Sequence, residues 1–148
     1  MKINFSKKEY ETLLEMLYIA SWVIDAFETE PKPDKQKYED LEQKILSYAK
    51  DFGMDRLVVW DAKVSEYFHS KEFDDGRPME LIEEFEDESF WNELTHRLAE
   101  RDFIETHTEE EIEKMDVWDR IRKIDEFVEK YWDEFEENGL ENLRIDKK

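Results

Sequence analysis

Apolar residues recur three and four positions apart through most of the chain, the spacing of one helix face and not the every-second-residue alternation of a strand. Tyr10, Leu13, Leu14, Leu17, Ala20 and Ile24 share one face at about 100° per residue. Ahead of them Ser6 and Glu9 have the spacing of a capping box, and Phe5 and Tyr10 that of a hydrophobic staple. A first helix from about residue 7 to 28 is predicted. Ile19, Val23 and Ala26 lie on its opposite face with Trp22 beside them, so it needs cover on two sides, from other helices or from a second copy of the chain.

Pro31 and Pro33 precede a second helix that starts near Asp34, carries Tyr38, Leu41, Ile45, Tyr48, Ala49 and Phe52 at spacings of three and four, and stops at Gly53. The next segment reads two ways. Leu57-Val58-Val59-Trp60 alone resembles a strand, yet Leu57, Trp60, Val64, Tyr67 and Phe68 also form one helical face. With no second strand candidate to pair with it, residues 57–68 are expected to be helical.

Pro78 suits the first turn of a short helix using Met79, Ile82 and Phe85, and Asp87 or Ser89 caps another that turns Phe90, Trp91, Leu94 and Leu98 inward. Thr108 with Glu111 forms a second capping box. Ile112 and Met115 are out of phase with the stripe Val117, Ile121, Ile124, Val128, Tyr131, Trp132 and Phe135, which places a break near Asp116. Gly139 followed by Leu140 is a Schellman-type stop, with Leu140 free to pack on Phe135. The expected fold is all-α: a single compact helical domain over residues 1–148, with five to seven helices around an aromatic-rich core and the first helix central.

A charged fraction of 43% and a mean hydropathy of −0.92 would fit a disordered chain, but 14% of residues are aromatic, which disordered acidic chains lack. The five Trp are expected in the core, ahead of the alternative that Trp22, Trp60, Trp91, Trp118 or Trp132 lines a small-molecule pocket. With no cysteine, disulfides, thiolate metal sites and cysteine nucleophiles are excluded. Met1 to Lys8 lead into Glu9 and Glu11 and not into an apolar signal region. The run Met16 to Phe27 is interrupted by Ser21 and Asp25 and is shorter than the ~20 residues a bilayer needs. A cytoplasmic protein is expected.

Residues 72–116 hold 18 Asp and Glu against four Lys and Arg, which is −14 of the chain's formal −20. Such a chain repels phosphate backbones and anionic head groups, so direct binding to nucleic acid or membrane is not expected. The clusters Glu83, Glu84, Glu86, Asp87, Glu88 and Glu109, Glu110, Glu111 sit near helix starts, where the dipole favours negative charge. That favours some of these acids and leaves a surplus, for which the functional reading is a docking surface for a basic partner.

Catalytic and metal signals are weaker. Glu66 with His69, and Glu93 with His96, have the Glu-x-x-His spacing of carboxylate-bridged helical metal sites. On a helix, however, both pairs fall outside the apolar face, which puts all four residues in solvent. His107 reads as the staple partner of Ile112, and Glu72 to Gly76 as a solvated acidic turn without the ligand pattern of a calcium loop. No serine elbow, phosphate loop, catalytic residue or cofactor site is legible. Asp25 and Arg101 are charges set among apolar positions, which suggests a partly buried ion pair.

The expected function is therefore non-enzymatic: protein–protein interaction through the acidic surface, through self-association, or both. A homodimer through Ile19, Val23 and Ala26 is the simplest form of the second. The alternatives are a nucleic-acid mimic that inhibits a basic protein, and a metal-dependent bundle enzyme built on the Glu-x-x-His pairs.

Overall fold

The computed structural model describes residues 2–27 and 32–145; Pro31 and the expected end of the first helix near residue 28 lie outside them. The fold is mostly helical. The elements in order are α1 (Lys7–Asp25), α2 (Gln36–Leu46), β1 (Val58–Asp61), β2 (Glu66–His69), α3 (Lys71–Asp74), α4 (Arg77–Thr106), α5 (Glu109–Lys114) and α6 (Val117–Asn138). They divide into two compact units, Met1–Glu84 and Phe85–Lys148, with α4 contributing residues to both.

Local signals set most helix ends. Both capping boxes form, Ser6 with Glu9 on α1 and Thr108 with Glu111 on α5. Because each carboxylate accepts hydrogen bonds from its capping residue, Glu9 and Glu111 are held below the usual carboxylate range. The break near Asp116 is present, and the Asp116 side chain accepts from Trp118 N–H at 2.7 Å to start α6. Gly139, at φ +56°, ends that helix, although Leu140 stays 45% exposed.

Three expectations about the elements are corrected. Residues 57–68 are not a helix but an antiparallel hairpin with Val58 opposite His69, Val59 opposite Phe68, Trp60 opposite Tyr67 and Asp61 opposite Glu66. The missing second strand is Glu66-Tyr67-Phe68-His69, reached through a turn in which Asp61 Oδ1 accepts from Lys63 N–H and Ser65 adopts φ +60°. The separate helices before and after Asp87 are one 30-residue α4. No Gly or Pro interrupts the chain between Glu83 and Ser89, and the Asp87 carboxylate accepts from Trp91 Nε1–H at 3.1 Å instead of capping. Glu72 to Asp74 belong to α3, a single turn capped by Ser70, with Phe73 buried.

In the first unit the core gathers Tyr10 and Leu14 of α1, Leu46, Ala49 and Met54 from α2 and the turns after it, Leu57 and Val58 at the hairpin, and Phe73. After Leu46 the chain tightens into turns closing on i−3 carbonyls, which keeps Ala49 inward until Gly53, at φ +64°, redirects it. In the second unit Thr95, Ala99, Phe103 and Phe135 are buried, and Phe135 packs against Trp91 at 5.5 Å and Tyr131 at 5.8 Å. Trp60, Trp118 and Trp132 are 49%, 73% and 39% exposed, so the expectation that every Trp lies in the core fails.

Candidate functional site

The hairpin has two edges, and the outer edge of β2 is closed by one side chain. Ser70 N–H bonds to Leu57 C=O and Ser65 N–H to Asp61 C=O, both at 2.9 Å. In the alternating antiparallel ladder this turns the backbone groups of Tyr67 away from β1. Gln43 of α2 takes both: its Nε2–H donates to Tyr67 C=O at 2.9 Å, and its Oε1 accepts from Tyr67 N–H at 2.8 Å. This pair docks α2 alongside β2 and spaces the two so that a groove of about 310 Å³ is left along them.

The groove is walled by carboxylates. Gln36, Glu39, Asp40 and Gln43 are three, four and seven positions apart and so share one side of α2, with Glu42 beside them. Glu66 enters from β2 and Asp25 from the end of α1, which makes five acids with no Lys or Arg in the lining. Asp40 accepts from Gln36 Nε2–H at 3.1 Å, and Phe68, 46% exposed, adds an apolar wall. An ammonium or guanidinium head would find charge-assisted acceptors here, and its methylene stem an aromatic surface to lie on.

His69 lies at the inner side of this groove, contrary to its expected place in water. The hairpin register puts it opposite buried Val58 on the core face, and its side chain is only 9% exposed. Its ring stacks on Phe73 at 4.5 Å, meets the edge of Tyr18 at 5.0 Å and holds Nε2 at 3.6 Å from Glu42 Oε1. Neither ring nitrogen has a hydrogen-bond partner among the described residues. Helical phasing hid this residue, because its inward direction exists only once 66–69 is a strand.

The remaining candidates fall elsewhere. Glu66 and His69, three apart on a strand, point to opposite faces, so the helical Glu-x-x-His geometry is absent there. Glu93 pairs with Arg97 at 2.5 Å, and exposed His96 bonds through Nδ1 to Asn92 C=O at 2.8 Å. Among the described residues no group of three or more His, Asp and Glu converges as a metal-ligand set. His107 stacks on Phe103 at 4.5 Å and bonds through Nδ1 to the Phe103 carbonyl at 2.9 Å, which ties it to the end of α4.

Asp25 is exposed, where partial burial was expected. Arg101 Nη2 donates to Asp102 Oδ1 at 2.6 Å and to Tyr131 Oη at 3.0 Å, while Tyr131 O–H donates to Asp102 Oδ2 at 2.5 Å. Of the acids expected to form an interaction surface, Glu84 pairs with Arg77 at 2.8 Å and Glu110 with Lys114 at 2.5 Å. Glu83, Glu86, Glu88 and Glu109 are exposed and have no ion pair among the described residues. On α1 Ile19 is half-buried, Val23 is 58% exposed and Ala26 is exposed. Among the described residues no helix is long and apolar enough to cross a membrane.

Against this geometry, no protein-family model matches the chain, and comparison with curated proteins and with solved structures gives no match.

Proposed function

We propose that this protein is a non-enzymatic docking module that binds a basic protein segment in the groove between α2 and β2. The observation that carries this reading is the lining itself: Asp25, Glu39, Asp40, Glu42 and Glu66 around one concavity, with no cation among them and Phe68 exposed beside them. Like charges held together are costly, so a shape that gathers five of them gains most when a cation arrives.

Any chain of net charge −20 attracts polycations, so the test compares places and not totals. A short arginine-rich peptide is titrated into the wild type, into Glu39→Gln/Glu66→Gln, and into Glu109→Gln/Glu110→Gln, which loses the same charge elsewhere. The groove variant is expected to bind about tenfold more weakly, with the control within about twofold, since charge-assisted bonds contribute on the order of 1–3 kcal/mol. Equal weakening by both variants, or no binding at low salt, refutes docking at this site.

Self-association is the second reading, supported by Val23 and Ala26 on the uncovered side of α1. Sedimentation giving a monomer at micromolar concentration ends it.

A further inference from the structure

A second groove, of about 560 Å³, opens in the Phe85–Lys148 unit between one side of α4 and Trp132 of α6. Its walls are largely carbon. Phe85 is 63% and Trp132 39% exposed, and Trp91 is fixed beside them by its bond to Asp87 and by packing on Phe90 and Phe135 at 5.0 and 5.5 Å. Asp87 and Glu88 share the lining, and no Lys or Arg does.

These features narrow the ligand by chemistry. An anion would be repelled by both carboxylates. A neutral apolar molecule would strip water from them without giving anything back. A bare metal ion needs a converging shell of oxygens, and among the described residues no three His, Asp or Glu come together as such a set. What suits aromatic faces and carboxylates together is a cation clothed in carbon, attracted by the negative ring faces and by full charges while its methyl groups bury against the rings.

We propose that the groove lined by Phe85, Asp87, Glu88, Trp91 and Trp132 binds a methylated ammonium group. The group is carried either on a small molecule of the choline type or on a trimethylated lysine. The site lies in a different unit from the α2–β2 groove and stands or falls independently of it.

The intact protein is titrated with choline and with its neutral isostere, in which a tert-butyl group replaces the trimethylammonium, while indole N–H signals are followed by NMR. Choline is expected to saturate, to move the Trp91 and Trp132 signals, and to bind about tenfold more tightly than the isostere. Trp132→Leu and Glu88→Gln should each weaken it severalfold. Glu88 is exposed and has no ion pair among the described residues, so that variant keeps the test valid if Trp132→Leu fails to fold. A trimethyllysine peptide and its unmodified counterpart form the second arm. Tighter binding of the methylated peptide with choline inert supports a protein ligand at this site. Equal binding of choline and isostere, indifference to Glu88→Gln, or no response to either methylated probe overturns the proposal.

Discussion

Tyr10 joins pattern to energy at a single residue. It was legible as an inward position of α1, and it is 2% exposed, stacked on Phe52 at 4.1 Å. What the pattern could not give is the partner of its hydroxyl, which donates to Ile45 C=O at 2.6 Å near the end of α2. Burial, with a smaller contribution from Asp51, pushes the phenol up to about 12. A raised value means that the folded state holds the proton more tightly. This contribution is therefore full below the ordinary value of 10 and is lost as pH rises towards 12. Tyr10→Phe should cost about 1–2 kcal/mol in urea unfolding at neutral pH and make the alkaline loss of stability shallower. Asp102 works in the other direction. Burial pushes its carboxyl up, but hydrogen bonds from Tyr131 and Arg101 outweigh that and hold it below its ordinary 3.8. Its contribution is present above 3.8 and lost as pH falls through the folded value. Tyr131→Phe is expected to raise the Asp102 titration midpoint seen by carboxyl NMR, and an unmoved midpoint would contradict the role given to that bond. Arg101 was visible as an odd charge with Asp102 next to it in the chain, but the Tyr131 hydroxyl that joins them depends on how α4 meets α6, which no local pattern encodes.

Among elements, those governed by local chemistry were readable and those governed by distant partners were not. The capping boxes at Ser6 and Thr108 and the break at Asp116 need only residues within one turn, and all three formed. The hairpin failed because Leu57, Trp60, Val64, Tyr67 and Phe68 satisfy a helical period, while strand pairing depends on what covers each face and edge. Two distant contributions decide it: the core that takes Leu57 and Val58, and Gln43, which closes the outer edge at Tyr67. The same error put His69 in solvent and hid the groove, since neither exists without β2. Gln43→Ala leaves the Tyr67 N–H and C=O without that partner, and an unmade bond at a partly buried group costs about 1–3 kcal/mol. Faster hydrogen exchange at Tyr67 than at Phe68, whose amide faces β1, is the expected signature. Equal protection of both amides in the variant would mean that the clamp does not hold the edge.

For the molecule as a whole, the surplus of charge was readable from composition, but its arrangement into concavities was not. A net charge of −20 makes each fold-stabilising contact work against self-repulsion. Sodium chloride raised from about 0.01 to 0.5 M shrinks the screening length from roughly 30 Å to about 4 Å, and so removes most of that repulsion. The ion pairs that salt would also weaken, such as Arg77–Glu84, Arg97–Glu93 and Lys114–Glu110, are exposed, and exposed pairs contribute little to stability. Repulsion should therefore win, and the melting temperature should rise by a few degrees, about 1 kcal/mol, over that range. Glu83→Gln/Glu86→Gln removes two acids with no ion pair among the described residues, so it should melt higher than the wild type at low salt and converge with it at high salt. Docking of a basic segment has the opposite dependence, since its attraction is screened while the fold is relieved. Salt that strengthens the fold while loosening the arginine-rich peptide is the joint outcome expected of a surface whose acids serve binding at the expense of stability. A melting temperature that falls with salt would instead mean that the exposed ion pairs outweigh the repulsion, and would remove the cost that a cationic partner is proposed to relieve.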